Sequence, residues 1–275
     1  MTIAQALSMA TGRGIDRLDA QLLLLHALGR PGGDRAWLIA HDGDALDDAA
    51  RKQFDALCDR RQQGDPAASL RGRKEFHGMD LRVDPRVLVP RPDTETLVDW
   101  SLEVLEGVRT PRVIDLGTGS GAIALAIARA RPDAVVQAVD ASAGALEVAR
   151  DNARQLGVDV AFHQGGWLAG AHGPSDLVVS NPPYVAQGDP HLADLAHEPR
   201  QALVAGRDGL DDLRRIVAQA PAHLARGGWL LLEHGWDQAA AVRGLLVQAG
   251  FPEAQSRRDL AGIERCGGGR WLEGR

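Results

Sequence analysis

The chain has 275 residues, 44% of them hydrophobic and 25% charged, enough for one sizeable core or a core plus a small accessory domain. Its formal net charge of −6 has the wrong sign for a protein that lives on bulk nucleic acid, where phosphates call for Lys and Arg. Cys58 and Cys266 are too few for a disulfide framework or a zinc cluster, and the nine histidines show no metal-ligand spacing. No run reaches membrane-spanning length, and the opening "MTIAQALSMATGRG" lacks a charged region followed by an apolar one, so a soluble, cytoplasmic protein is expected. Lys52 and Lys74 are the only lysines; the arginine and alanine excess reads as the mark of a GC-rich genome.

The first seventy or so residues read helical. "LDAQLLLLHALG" sets Leu18, Leu22, Leu25 and Leu28 at helical spacing before Gly29. "ALDDAARKQFDALCDRR" repeats the pattern through Ala49, Phe54 and Leu57, with charges on the other face. "QQGDPAASLRG" breaks it and reads as a linker. "EFHGMDLRV" predicts a hairpin about Gly78, and "LVPRPDTETLVDWSLEVLE" a helix begun by Pro92 and Asp93. Beyond Arg112 the period changes: "RVIDLG", "VVQAVD", "DLVVSN" and "GGWLLLEHG" are short apolar runs separated by helical stretches. The expectation is an α/β chain: a helical domain over residues 1–73, a linker hairpin over 74–89, and a doubly wound, Rossmann-like parallel sheet over 90–275. Ligands on such sheets sit beyond the carboxyl ends of the strands. Three of those ends carry "DLGTGSG", "VD" and "NPPY", which should face one crevice.

"VIDLGTGSGAIALAIA" reads as strand, glycine loop and helix, in which Gly117, Thr118, Gly119, Ser120 and Gly121 let backbone approach a ligand closely. Gly117, Gly119 and Ala122 also satisfy a dinucleotide pattern, and Asp140 follows Gly121 by 19 residues, as an acid binding ribose hydroxyls would. Both NAD and S-adenosylmethionine present such a ribose. Asp115 favours the second, because an acid before the turn would repel a pyrophosphate but suits a ligand with an ammonium and a sulfonium. The alternatives are a turn-capping role for Asp115 and a helix cap for Asp140.

Residues Asn181, Pro182, Pro183 and Tyr184 end the strand "DLVVSN" with a stiff turn, since two prolines cannot donate to a sheet ladder. A planar amide or adenine nitrogen is a poor nucleophile because its lone pair is delocalised. Two fixed acceptors, the Asn181 side-chain carbonyl and the Pro182 backbone carbonyl, would hold both its protons and aim the lone pair. Tyr184 offers a flat face and a cation–π contact to a sulfonium. The plain alternative is a rigid turn with Tyr184 in the core. No side chain is an evident general base; His234, in "LLLEHGW", reads as structural.

With these residues in view the chain resembles the release factor glutamine methyltransferases of the PrmC/HemK type. The resemblance spans nearly the whole length, through "LDAQLLLLHALG", "VLVPRPDTE", "VIDLGTGSGAIALA", "VSNPPYV", "HEPRQALVAGRDGLDDLRRI", "LLLEHGW" and "RRDLAGIER". It implies a class I methyltransferase fold and transfer of the S-adenosylmethionine methyl to the glutamine amide in the Gly-Gly-Gln loop of class I peptide chain release factors. It also implies that residues 117–121 line the methionine and ribose of the donor, Asp140 the ribose and Trp167 the adenine. Asn181, Pro182, Pro183 and Tyr184 would hold the glutamine, with the helical domain helping to dock the release factor; a monomer is expected, although nothing in the sequence fixes the oligomeric state. Arg91 and Glu198 fall in matching segments, as site residues or as a salt bridge. Relatives of this kind often carry an acid before the tryptophan of "GGWLAG", where this chain has Gly166. Rival readings are an adenine methyltransferase on DNA or RNA, a non-catalytic S-adenosylmethionine-binding protein, and a nicotinamide dehydrogenase. The negative charge, the intact Asn-Pro-Pro-Tyr turn and Asp115 weigh against them in that order.

Overall fold

The computed structural model describes residues 1–193 and 195–272. The chain divides into two compact units, Met1–Arg73 and the part from Lys74 onward.

The first unit is built from helices α1 (Ile3–Gly12), α2 (Arg17–Ala27), α3 (Arg35–Ala40), α4 (Asp48–Gln62) and α5 (Ala67–Arg71). Their starts are written in the sequence. Thr2 and Gln5 form a capping box on α1, Asp16 caps α2 through the Leu18 N–H at 2.8 Å, and Asp47 caps α4 through the Ala50 N–H at 2.7 Å. The core gathers Ile3, Leu24, Leu38, Phe54 and Leu57. Two expectations need correction here. The buried face of α2 is Ala20, Leu23, Leu24, Leu25 and Ala27, while Leu18 is 45% exposed; in a run of four leucines several stripes fit a helical period. On α4 it is Ala50, not Ala49, that turns inward with Phe54 and Leu57. The stretch read as a linker also holds α5, which Pro66 starts and left-handed Gly72 stops, and its Ala67 and Leu70 join the core.

The second unit opens with β1 (Arg73–Phe76), whose first residue closes the first unit, and β2 (Met79–Arg82), which form a two-stranded sheet of their own. His77 and Gly78 between them have φ of +48° and +71°, the doubly left-handed turn that matches strand twist. A 3-10 turn over Pro92–Thr94 leads into α6 (Glu95–Val104). There follow β3 (Arg112–Leu116), α7 (Ala122–Ala130), β4 (Val135–Asp140), α8 (Ala143–Leu156), β5 (Ala161–Gln164) and β6 (Ser175–Ser180). The unit ends with α9 (Asp211–Gln219), β7 (Leu224–Glu233), α10 (Ala239–Gln248), β8 (Gln255–Arg258) and β9 (Glu264–Arg270).

Seven strands make one sheet in the order β5-β4-β3-β6-β7-β9-β8. The pairs from β5 to β7 are parallel; β9 runs antiparallel to both β7 and β8. Alternate residues of each central strand feed opposite cores. Val113, Leu177, Val179 and Leu231 pack with α6 and α7, whereas Ile114, Val178, Leu230 and Leu232 pack with α9 and α10. Burial on both faces explains why these strands read as unbroken apolar runs. It stabilises each by about 1.5–3 kcal/mol per large side chain. The chain leaves β3 towards β4 and β5, then returns to the other side of β3 for β6. The switch point therefore lies between β3 and β6, where an open sheet leaves a crevice.

Candidate active site

The crevice is a cavity of about 280 Å³ at the carboxyl ends of β3, β4 and β6. Of the residues singled out from the sequence, Gly117, Gly119, Asp140, Trp167, Asn181 and Pro183 line it. Asp115, Thr118, Ser120, Gly121 and Tyr184 are not among the lining residues, and neither is Pro182, which sits between two that are, Asn181 and Pro183.

The glycine loop needs its glycines. Gly117, Gly119 and Gly121 all have left-handed φ, at +66°, +55° and +85°. A Cβ at Gly121 would also lie 3.0 Å from Leu125 Cδ1. Asp115 is fully buried, with Oδ2 accepting the Thr118 hydroxyl at 2.6 Å and the Ala124 N–H at 3.2 Å. It thus holds the loop against the first turn of α7, the capping alternative, and does not reach the cavity surface. Its Oδ1 has no hydrogen bond among the described residues, and burial pushes the carboxyl up to about 7. Ser120 presents its backbone carbonyl to the Asn152 amide at 2.9 Å.

Asp140 ends β4 and faces the cavity. Its Oδ2 accepts the Gly119 N–H at 2.9 Å and its Oδ1 the Ser142 N–H at 2.8 Å. The cap of α8 is Ser142, whose hydroxyl accepts the Ala145 N–H at 3.2 Å, so Asp140 is not the helix cap. Each Asp140 oxygen keeps a lone pair for a ligand. Trp167 has an uncommon φ of +52°, and its ring carbon Cζ3 would lie 3.4 Å from a Cβ at Gly117. Asp212 also lines the cavity, and burial raises the pKa of its carboxyl. A Cβ at Gly166 would meet nothing within 4 Å, so the missing acid leaves open space there.

In the turn after β6, Asn181 Nδ2 donates to Thr94 Oγ1 at 3.2 Å, leaving Oδ1 as the free polar atom of the carboxamide. The Tyr184 hydroxyl donates to Glu233 Oε1 at 3.3 Å, and its backbone carbonyl accepts Gln238 Nε2 at 3.0 Å. Burial, with the Glu233 charge behind it, pushes the phenol pKa upward. Beyond the turn, Val185 pairs with Leu203 and Ala205 through backbone bonds of 2.8 and 3.0 Å, which lock its exit. Arg91 and Glu198 form an ion pair, and Glu198 also accepts the Val89 N–H at 3.4 Å. His234 is 0% exposed, with Nδ1 against the Gly235 carbonyl at 2.9 Å, and does not line the cavity. No metal-binding cluster occurs among the described residues, and none of their helices is long and apolar enough to cross a membrane.

Thr94, Asp212, Glu233 and Gln238 were not singled out as site residues. An acid at the end of a buried strand was the available signal for Glu233, within "LLLEHGW". Thr94, within "PRPDTE", carried none of its own.

A glycine loop after the first central strand, an acid ending the second and a cavity at the switch point define a Rossmann-like methyltransferase. Residues 99–206 match the family described as Methyltransferase small domain, and residues 2–72 the PrmC N-terminal domain. A release factor glutamine methyltransferase from Bordetella pertussis is 52% identical over 260 residues, covering 93% of this chain and 95% of that protein. One from Burkholderia pseudomallei is 50% identical, covering 97% and 96%. A methyltransferase of Pyrococcus furiosus shares the fold, with a TM-score of 0.53 and 19% identity over 71% of this chain and 90% of its own. The chain belongs to the release factor glutamine methyltransferase family.

Proposed function

We propose that this chain transfers the methyl group of S-adenosylmethionine to the side-chain amide nitrogen of the glutamine in the Gly-Gly-Gln loop of class I peptide chain release factors. The observation that carries the reading is the Asn181 carboxamide: its NH2 is engaged by Thr94, so its oxygen remains for a ligand in the cavity.

The residues fit the donor. Gly117 and Gly119 give it a backbone cradle, and Asp140 has a spare lone pair on each oxygen for ribose hydroxyls. The Trp167 face and the space at Gly166 receive the adenine, without an acid for its amino group. Bound there, S-adenosylmethionine supplies an electrophilic methyl on a sulfonium. The chain's own residues do the rest. Asn181 Oδ1 and the Pro182 carbonyl accept the two amide protons of glutamine, turn its nitrogen lone pair towards the methyl and weaken its conjugation with the carbonyl. Pro182 and Pro183 keep both acceptors from relaxing, so little reorganisation is needed in the transition state. Tyr184, held by Glu233 and Gln238, is a platform for the planar amide. The proton leaves to water after transfer. We place the reaction in the cytoplasm and assign release factor docking to residues 1–73.

The test is incubation with labelled donor and, separately, release factor, DNA and RNA, followed by mass spectrometry. Label on the Gly-Gly-Gln glutamine, lost when that glutamine is replaced by alanine, supports the reading. Label that survives the replacement, or appears in nucleic acid, overturns it.

A further inference from the structure

The Asn-Pro-Pro-Tyr turn is held at its two ends by two buried side chains, Thr94 at Asn181 and Glu233 at Tyr184. Glu233, the last residue of β7, is 1% exposed. The Tyr184 hydroxyl donates to its Oε1 at 3.3 Å. The Thr94 hydroxyl, at the junction of the 3-10 turn and α6, lies beside the same carboxylate and holds its pKa down, without a well-formed hydrogen bond to it. Glu233 Oε2 has no well-formed hydrogen bond among the described residues, so the carboxylate has acceptor capacity in hand. Thr94 is itself 4% exposed, and its oxygen receives the Asn181 Nδ2 at 3.2 Å.

A threonine hydroxyl has one proton to give. When Glu233 takes it, Thr94 Oγ1 can only accept, and the group it accepts from is the NH2 of Asn181. That choice settles which end of a nearly symmetric carboxamide faces the cavity. With NH2 turned to Thr94, the oxygen faces the ligand. Flipped, the carboxamide would present two donors to a substrate amide that also offers donors, and the grip would become a repulsion.

We propose that Glu233 is a positioning residue which, through Thr94, fixes the Asn181 carboxamide with its oxygen towards the substrate and steadies Tyr184 from the same carboxylate. The inference rests on the reading of Asn181 as acceptor for the glutamine amide. Glu233 does not line the cavity and touches no reacting atom. The charged and titratable groups around it are Tyr184, Asp93 and Arg265, with Cys266 paired to it across the β7–β9 ladder. Burial pushes the Glu233 carboxyl up to about 7, with Asp93 adding to the rise and the Arg265 charge opposing it. A protonated Glu233 keeps only a neutral carbonyl, a weaker acceptor for the Thr94 proton, so turnover should climb with pH through about 7.

The experiment uses the full chain with release factor and S-adenosylmethionine, measuring kcat and KM across pH, donor binding by calorimetry, and thermal melting. Glu233→Gln and Thr94→Val should lower kcat about 10- to 100-fold, the scale of a buried hydrogen bond lost in the oriented state. Donor affinity should stay at the wild-type value, and the rise in kcat near neutrality should flatten in both variants. Thr94→Ser, which keeps the hydroxyl, should recover most of the rate. It also keeps the comparison with Thr94→Val decisive if Glu233→Gln does not fold. The inference is overturned if the folded variants melt lower but turn over at the wild-type rate with the wild-type pH profile. Asn181→Ala separates the two levels. If it abolishes transfer while Glu233→Gln and Thr94→Val do not reduce it, only this inference fails. If Asn181→Ala transfers normally, the amide grip fails and takes this inference with it.

Discussion

Replacing Asp140 by asparagine separates two jobs that its carboxylate holds together. One oxygen accepts the Gly119 N–H at 2.9 Å and the other the Ser142 N–H at 2.8 Å. An asparagine has one carbonyl oxygen, so one of those N–H groups must then face an NH2 donor. The helix that follows keeps its cap, because the Ser142 hydroxyl still accepts the Ala145 N–H. The donor-free protein should therefore lose about one hydrogen bond, or ~1 kcal/mol. For a domain of this size that lowers Tm by about 2–4 °C. Donor binding should suffer more. A charged acceptor for ribose hydroxyls contributes about 1.5–3 kcal/mol, so Kd should rise roughly 10- to 150-fold. Titration calorimetry with S-adenosylmethionine and a melting curve without it, on the same preparation, read the two effects separately. An unchanged Kd beside a lowered Tm would show that Asp140 is a clamp on the glycine loop and nothing more.

Gly121→Ala should destabilise the fold by at least about 1–2 kcal/mol, the left-handed backbone penalty, with the new methyl also set 3.0 Å from Leu125 Cδ1 and 3.3 Å from Ala149 Cβ; an unchanged melting temperature would contradict the geometry. Asp115 has a folded pKa of about 7 against 3.8 for the free group, so its contribution to stability is full below about pH 4 and is lost as pH rises through 7. Asp115→Asn, a mimic of the protonated acid, should therefore flatten the fall in Tm between about pH 4 and 7, and parallel curves for mutant and wild type would rule that out. Removing residues 1–73 should leave a domain that binds the donor but methylates intact release factor poorly; full activity on intact release factor would move the docking surface elsewhere.

The parallel centre of the sheet was legible because both of its faces are buried, which writes β3, β4, β6 and β7 as apolar runs before recognisable loops. The far edge was not. β9 contains Gly267, Gly268 and Gly269, which carry no strand propensity. The reason is packing. A Cβ at Gly268 would lie 2.4 Å from Leu231 Cδ2, and one at Gly267 2.8 Å from Val242 Cγ1, so close approach to β7 and α10 requires glycine there. β5 was missed because "AFHQ" is a half-buried edge with no clear alternation. In the site, residues that line the cavity through backbone or strand-end position were legible: Gly117, Gly119, Asp140 and Asn181. Asp115 was read towards the ligand because its position beside the loop is visible in sequence but the direction of its side chain is not. Thr94 and Glu233 lie 87 and 52 residues from Asn181 along the chain, and only the fold brings them behind it.

Any planar nitrogen with two protons would satisfy acceptors at Asn181 and Pro182, so choice of substrate must arise around the grip. A flipped base brings phosphates that need free cations. Beside the cavity Arg86 is committed to Asp84 and Glu147, and Arg91 to Glu198, while Arg200, between the lining residues Pro199 and Gln201, forms no ion pair among the described residues. Recruiting Arg86 or Arg91 to a phosphate would strip a partner from a carboxylate, and Glu198, the partner of Arg91, is buried. Leaving a buried carboxylate unpaired is expensive, on the order of 3–5 kcal/mol. A glutamine on a protein loop makes no such demand. It needs only a neutral amide to enter between Asn181 and Tyr184 while the rest of the loop meets ordinary protein surface. The internal pairing of Arg86 and Arg91 therefore leaves Arg200 as the one nearby arginine without an ion pair among the described residues, too little for a polyphosphate backbone, and this favours a protein substrate for reasons independent of the chain's net charge.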